Sequence, residues 1–257
     1  MNGASALLRL RVREIRSTLR GWVLPAAIIV FAVSGPLMAL YASNILAWAL
    51  PAGQVNIFNL PDPTPFDAYG QWTSTLSEIM VFVVIVLAAG AINSEMRSGV
   101  AASLLVKPAS RTAYVLTHWM AQFGFVALVS MMGAAATWVV TRIAFGQAPL
   151  GAVFASTGAW LVLVAVLVSA SLLASSAIDA VAGAAGVGIG VYFLLALLGA
   201  IPMLARYTPA GLISITGALG AGTPPDGLAL WLPLVTGAAL AAILLALAIT
   251  RFRHREL

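Results

Sequence analysis

A chain of 257 residues that is 61% hydrophobic and 8% charged carries about a third of the charge of an ordinary soluble domain, in which charged residues make up roughly 25%. That composition excludes a soluble enzyme, a disordered tail and a coiled coil, and defines a polytopic membrane protein. The net charge of +5 sits mostly in short segments beside apolar spans, so it specifies topology and does not mark a nucleic-acid partner.

Residues 4–20 read ASALLRLRVREIRSTLR. At helical spacing Leu8, Val12, Ile15 and Leu19 form one stripe, and Arg9, Arg13, Arg16 and Arg20 form a neighbouring one. An apolar stripe beside a cationic one suits a helix lying in the membrane interface near anionic headgroups. Six apolar spans follow, at about 22–43, 74–93, 115–140, 153–175, 180–204 and 229–250. Each is close to the ~20 residues that cross a bilayer as a helix, and none alternates as a barrel strand would. The expected fold is therefore an all-α membrane domain of six transmembrane helices. The first span follows an arginine-rich stretch and is too long for a signal-peptide core, so it is expected to remain as a span.

With the N-terminus in the cytoplasm, the inner segments hold Arg9, Arg11, Arg13, Arg16, Arg20, Arg97, Lys107, Arg111, Arg251, Arg253 and Arg255, and the outer ones only Arg142 and Arg206. Eleven cations against two is a strong positive-inside bias. Both termini are then cytoplasmic.

The connections differ in character. Residues 44–73 contain NLPDPTPFDAYGQW, with prolines at 61, 63 and 65, which predicts a rigid, non-helical outer stretch. Between the second and third spans, SGVAASLLV reads as a short cytoplasmic helix over 98–106, with Ser98 as its cap and Lys107-Pro108 as its stop. Asp179, in the short inner turn SSAIDA, is placed to cap the fifth span. Residues 205–228 are apolar enough to hold a short helix in the outer leaflet, closed by the turn TPPDG.

Within the spans, Glu78 stands one to two turns from the outer end of the second. A carboxylate there faces protein or a water-filled cavity; it is read either as a contact for a cationic substrate or as an interface residue reaching water. His118, near the inner start of the third span, is its companion candidate for a substrate pathway, against a simple packing role. Gly186 and Gly190, with Gly183 on a nearby face, form a small-residue surface for close helix approach, within the chain or between copies. Trp22, Trp48, Trp72, Trp138 and Trp231 fall near span ends, as aromatic belts do.

Chemistry within the chain is sparse. Cysteine is absent and histidine is limited to His118 and His254, which leaves no disulfide and no basis for a histidine-built metal centre. A phosphate-binding P-loop needs GxxxxGK[ST]. The single lysine, Lys107, lies between Val106 and Pro108, so no such loop can form.

The stretch SEMRSGVAASLLVKPASRTAYVL resembles the signature region of ABC-2 type transporter permeases, at Glu95, Arg97, Gly99, Leu104, Leu105, Pro108, Ser110 and Arg111. It departs from the family pattern at Ser98 and His118. The N-terminal helix resembles that family's elbow helix, RYTPAGLISITGAL its segment after the fifth span, and RFRHREL its basic tail. The resemblance implies the membrane subunit of a bacterial ABC exporter in the inner membrane. Helix 98–106 would be the coupling helix, and the eight residues above would engage the ATPase. Two ATPase subunits would carry ATP and Mg, with no cofactor in this chain. A second permease subunit would make a homodimer across the first and fifth spans. The substrate would be amphipathic: a drug, a lipid-like molecule or a peptide. Two alternatives stand beside this reading. One is a permease that passes mechanical work to a periplasmic partner docked on 44–73; the other is an intramembrane enzyme built on Glu78 and His118.

Overall fold

The computed structural model describes residues 3–17, 20–42, 44–45, 62–97 and 110–254. Among these there is no β-strand, and six helices are long and apolar enough to cross a membrane. The protein is an all-α, multi-pass membrane protein. The amphipathic helix α1 (Gly3–Ser17) leads into α2 (Arg20–Leu40). One continuous helix then comprises α3 (Pro65–Thr75), a π-turn (Leu76–Met80) and α4 (Val81–Arg97). It is followed by α5 (Arg111–Phe145), α6 (Leu150–Ala177) and α7 (Val181–Gly199). The short helix α8 (Pro202–Tyr207), a 3-10 turn (Pro209–Gly211) and α9 (Leu212–Gly220) precede the last span, α10 (Gly227–Arg253).

Helix α6 is the axis of the bundle, with 83% of its membrane-spanning stretch buried, against 22% for α10. Its polar residues bind it to two neighbouring spans through three hydrogen bonds. Thr157 Oγ1 accepts from Trp72 Nε1 of α3 (3.0 Å), Ser169 Oγ from Trp119 Nε1 of α5 (2.9 Å), and Ser175 Oγ from the Asn93 amide of α4 (3.2 Å). Interhelical hydrogen bonds of this kind carry packing where lipid offers no hydrophobic contrast. Small residues allow the close approaches. A β-carbon at Gly133 would lie 2.5 Å from both Ile28 Cγ2 and Trp72 Cη2, and one at Gly188 would lie 2.5 Å from Ser171 Oγ.

The second span starts earlier than its hydropathy predicts, at Pro65 and not at 74. The Asp67 carboxylate accepts from the Thr64 amide (2.7 Å) and hydroxyl (2.8 Å), and Pro65 occupies the first turn, where its missing N–H costs nothing. The expectation of a non-helical stretch through residue 73 is therefore corrected for 65–73; residues 46–61 lie outside the described residues. The correction also moves Trp72 from a belt position into the core, where it is 1% exposed. Trp22 and Trp231 do lie exposed near helix ends, while Trp48 lies outside the described residues. The fifth span ends at Gly199, short of 204.

The short helix expected in 205–228 is present as α9, and it is an internal element. Leu212, Ile215, Thr216 and Gly220 are buried, and α9 packs on α6 and α3. A β-carbon at Gly220 would stand 2.7 Å from Thr73 Cγ2, so only a glycine fits against the last turns of α3. The N-cap position of α7 is Ala180, one residue beyond the expected cap, Asp179.

Candidate functional site

The two ends of the chain meet at the start of α5. Ser110 caps this helix, its hydroxyl accepting from the Ala113 amide (3.1 Å), which satisfies one of the donors a helix start leaves open. Tyr114, one turn further, is fully buried. Its ring stacks on Phe252, near the end of α10, with centroids 5.2 Å apart and planes 11° from parallel. It packs edge-on against His118 at 4.8 Å. The Arg11 guanidinium lies over the same ring, 5.4 Å from its centroid.

At the centre of this cluster is Glu95, two residues from the end of α4 and 5% exposed. Arg11, 3% exposed, grips it with both terminal nitrogens. Nη1 pairs with Oε1, and Nη2 donates to Oε2 at 2.6 Å. The Tyr114 hydroxyl donates to Oε2 at 2.5 Å, and His118 Nε2 stands 3.5 Å from that oxygen. Arg11 also reaches Glu14 (3.0 Å) on its own helix. A fork-to-fork arginine–carboxylate pair joined by a hydroxyl donor is the arrangement in which two buried charges compensate each other. Beside it, Arg111 Nη1 donates to the Arg253 carbonyl (2.7 Å), and the Arg253 guanidinium donates to Thr112 Oγ1 (2.7 Å). The junction therefore joins α1, α4, α5 and α10.

The resemblance-derived residues divide by place. Glu95 is internal to the junction. Ser110 is the cap of α5, and Arg111 holds the end of α10. Arg97 lies at the end of α4. Gly99, Leu104, Leu105 and Pro108 lie outside the described residues. The sequence reading missed Arg11 as a paired residue, although a signal was present. Arg11 falls on the other flank of the apolar stripe from Arg9, Arg13, Arg16 and Arg20. Arg9 and Arg13 are exposed with Val12, while Leu7 and Arg11, one turn apart, face the bundle.

Glu78 and His118 are not brought together. His118 is buried beside Glu95, whereas Glu78 is exposed on the π-turn, 17 residues earlier on the same continuous helix. At 1.5 Å per residue that is roughly 25 Å. Because the helix starts at Pro65, Glu78 stands 13 residues into a continuous helix whose first eleven residues are less apolar than those that follow the π-turn. The π-turn is a local feature often found at functional sites, and here the Ser77 carbonyl accepts from Tyr192 of α7 at 2.6 Å. Of the three interface candidates, a β-carbon at Gly183 would meet Ile178 of the same chain at 2.9 Å. Gly186 and Gly190 are exposed, and a β-carbon at either would meet nothing within 4 Å.

Fold and junction together define a six-span helical membrane protein whose terminal segments are clamped to the start of its third span. The chain belongs to the family described as protein of unknown function (DUF2705), whose profile matches residues 28–257. It is similar to YxlG, an uncharacterized transmembrane protein of Bacillus subtilis (strain 168). The two are 28% identical over 186 residues, covering 67% of this chain and 69% of that protein.

Proposed function

We propose that this chain is the permease subunit of an ATP-driven ABC-2 type exporter, seated in a bacterial plasma membrane with both termini in the cytoplasm. The observation that carries this reading is the Arg11–Glu95–Tyr114 junction. It clamps the amphipathic helix to Glu95 and Tyr114, which flank in sequence the stretch 98–106 that resembles a coupling helix. A push on that segment by a soluble ATPase would be felt by α1, α4, α5 and α10 together, since all four share the junction. ATP and Mg would be held by two partner subunits, because this chain has no residues to form a P-loop. The uncovered Gly186 and Gly190 favour a second copy as the other half of the membrane dimer. The exported substrate would be amphipathic, reaching the pathway from the membrane interface.

The test is gentle purification from native membranes with stoichiometry of the co-purifying chains. The expected result is one P-loop ATPase per permease chain. Gly99→Asp and Leu104→Asp would abolish that association while leaving the chain monodisperse. A chain that purifies alone, with no nucleotide-dependent behaviour, overturns the reading.

A further inference from the structure

The bundle has a second feature that the junction does not use. Helices α5, α6 and α10 enclose a groove of about 450 Å³, within the roughly 300–1,000 Å³ of small-molecule sites. Trp119 and Phe123 form one wall, stacked with centroids 4.8 Å apart and planes 15° from parallel. Leu161 and Ala241 form the buried floor, and Ala238 and Ala242 form an exposed lip. The Trp119 indole N–H is the one polar side-chain group in the lining, and it is already bonded to Ser169.

We infer that this groove binds one acyl chain of a bilayer lipid. Three observations select that occupant. Gly158–Ala165 and Ala238–Leu245 are the middles of the 28-residue α6 and the 27-residue α10, and Trp119 and Phe123 stand two to three turns into the 35-residue α5, so the groove lies within the apolar spans and its open side faces the hydrocarbon. Its lining offers nothing to a headgroup, an ion or a polar solute, since an unpaired polar group would be costly there. Its width comes from the small residues of the lining, Gly158 above all. A β-carbon at Gly158 would meet no atom within 4 Å, whereas one at Gly237, on the adjacent turn of α10, would meet Leu212 Cδ1 at 2.8 Å. Glycine is thus used for helix contact at 237 and leaves open space at 158. The inference needs neither nucleotide nor a partner subunit and stands apart from the transport reading.

The experiment reconstitutes the full chain in phosphatidylethanolamine–phosphatidylglycerol vesicles containing a phosphatidylglycerol with a photoreactive diazirine at mid-chain. Insertion sites are mapped by residue. The expected result is labelling at Trp119, Ala242 and Leu245 several-fold above Ile243 and Leu247, which are exposed on the opposite face of α10. Gly158→Leu and Ala242→Leu, which fill the groove from open positions, should bring those sites down to the Ile243 level. Leu245→Ala, which widens it, should raise them. Labelling no stronger in the groove than at Ile243 and Leu247, or unchanged by the filling variants in monodisperse protein, overturns the inference. So does disulfide crosslinking between copies through Ala242→Cys, which in this cysteine-free chain would make the groove an interface between subunits.

Discussion

Arg11 and Glu95, 84 residues apart in sequence, form a buried ion pair that fastens the N-terminal helix to the end of the second span. An arginine 3% exposed at the edge of a membrane bundle is held there by its partner. The desolvation of both charges makes the pair far more sensitive to loss of one member than of both.

Removing one charge should therefore destabilise strongly. Glu95→Gln keeps the side-chain shape and leaves Arg11 with only the exposed Glu14 as a charged partner, which should cost about 3–5 kcal/mol. Replacing both, as Arg11→Met with Glu95→Gln, should cost less than the sum of the two single changes. Thermal unfolding of the four proteins in one detergent closes the cycle; strict additivity would mean that the pair is not coupled.

Tyr114 does two things that separate by substitution. Tyr114→Phe removes only the hydroxyl donor to Glu95, for about 1.5–3 kcal/mol because the acceptor is charged. Phe252→Ala removes the ring stacked beneath Tyr114 and should cost about 3–5 kcal/mol. In Phe252→Ala, limited proteolysis should also cut first near residue 254, as the end of α10 comes loose.

Two glycines should respond in opposite directions. Gly133→Ala forces a β-carbon into Ile28 and Trp72, and such overpacking costs about 1–3 kcal/mol. Gly158→Ala meets nothing and should gain up to about 1 kcal/mol from helix propensity. The midpoints of thermal aggregation in detergent report both signs.

Orientation is open to thiol chemistry because the chain has no cysteine. In right-side-out vesicles a cysteine at Gln54 should react with an impermeant maleimide, and one at His254 should react only after permeabilisation. The reverse pattern would overturn the proposed cytoplasmic placement of the junction.

Much of the fold was legible along the chain. Six apolar stretches and a cationic amphipathic start are properties of consecutive residues, and the bilayer admits only helices for such stretches. The ends of those helices were less legible. Hydropathy marks where a helix can sit in lipid, whereas the start at Pro65 depends on a local cap made by Thr64 and Asp67, and α9 is inside the bundle because Gly220 lets it approach Thr73.

Of the candidate site, Glu95, Ser110, Arg111 and His118 were identifiable as residues, and their relations were not. Sequence by itself determined the solvent in which this protein lives, the number of its spans and the charge asymmetry across them, because these follow from sums over neighbouring side chains. Only the tertiary structure decided that α6 is the axis while the equally apolar α10 lies at the edge, since lipid and protein interior are alike in polarity and hydropathy cannot tell them apart. It alone paired Arg11 with Glu95, because a buried charge chooses its partner by position in space.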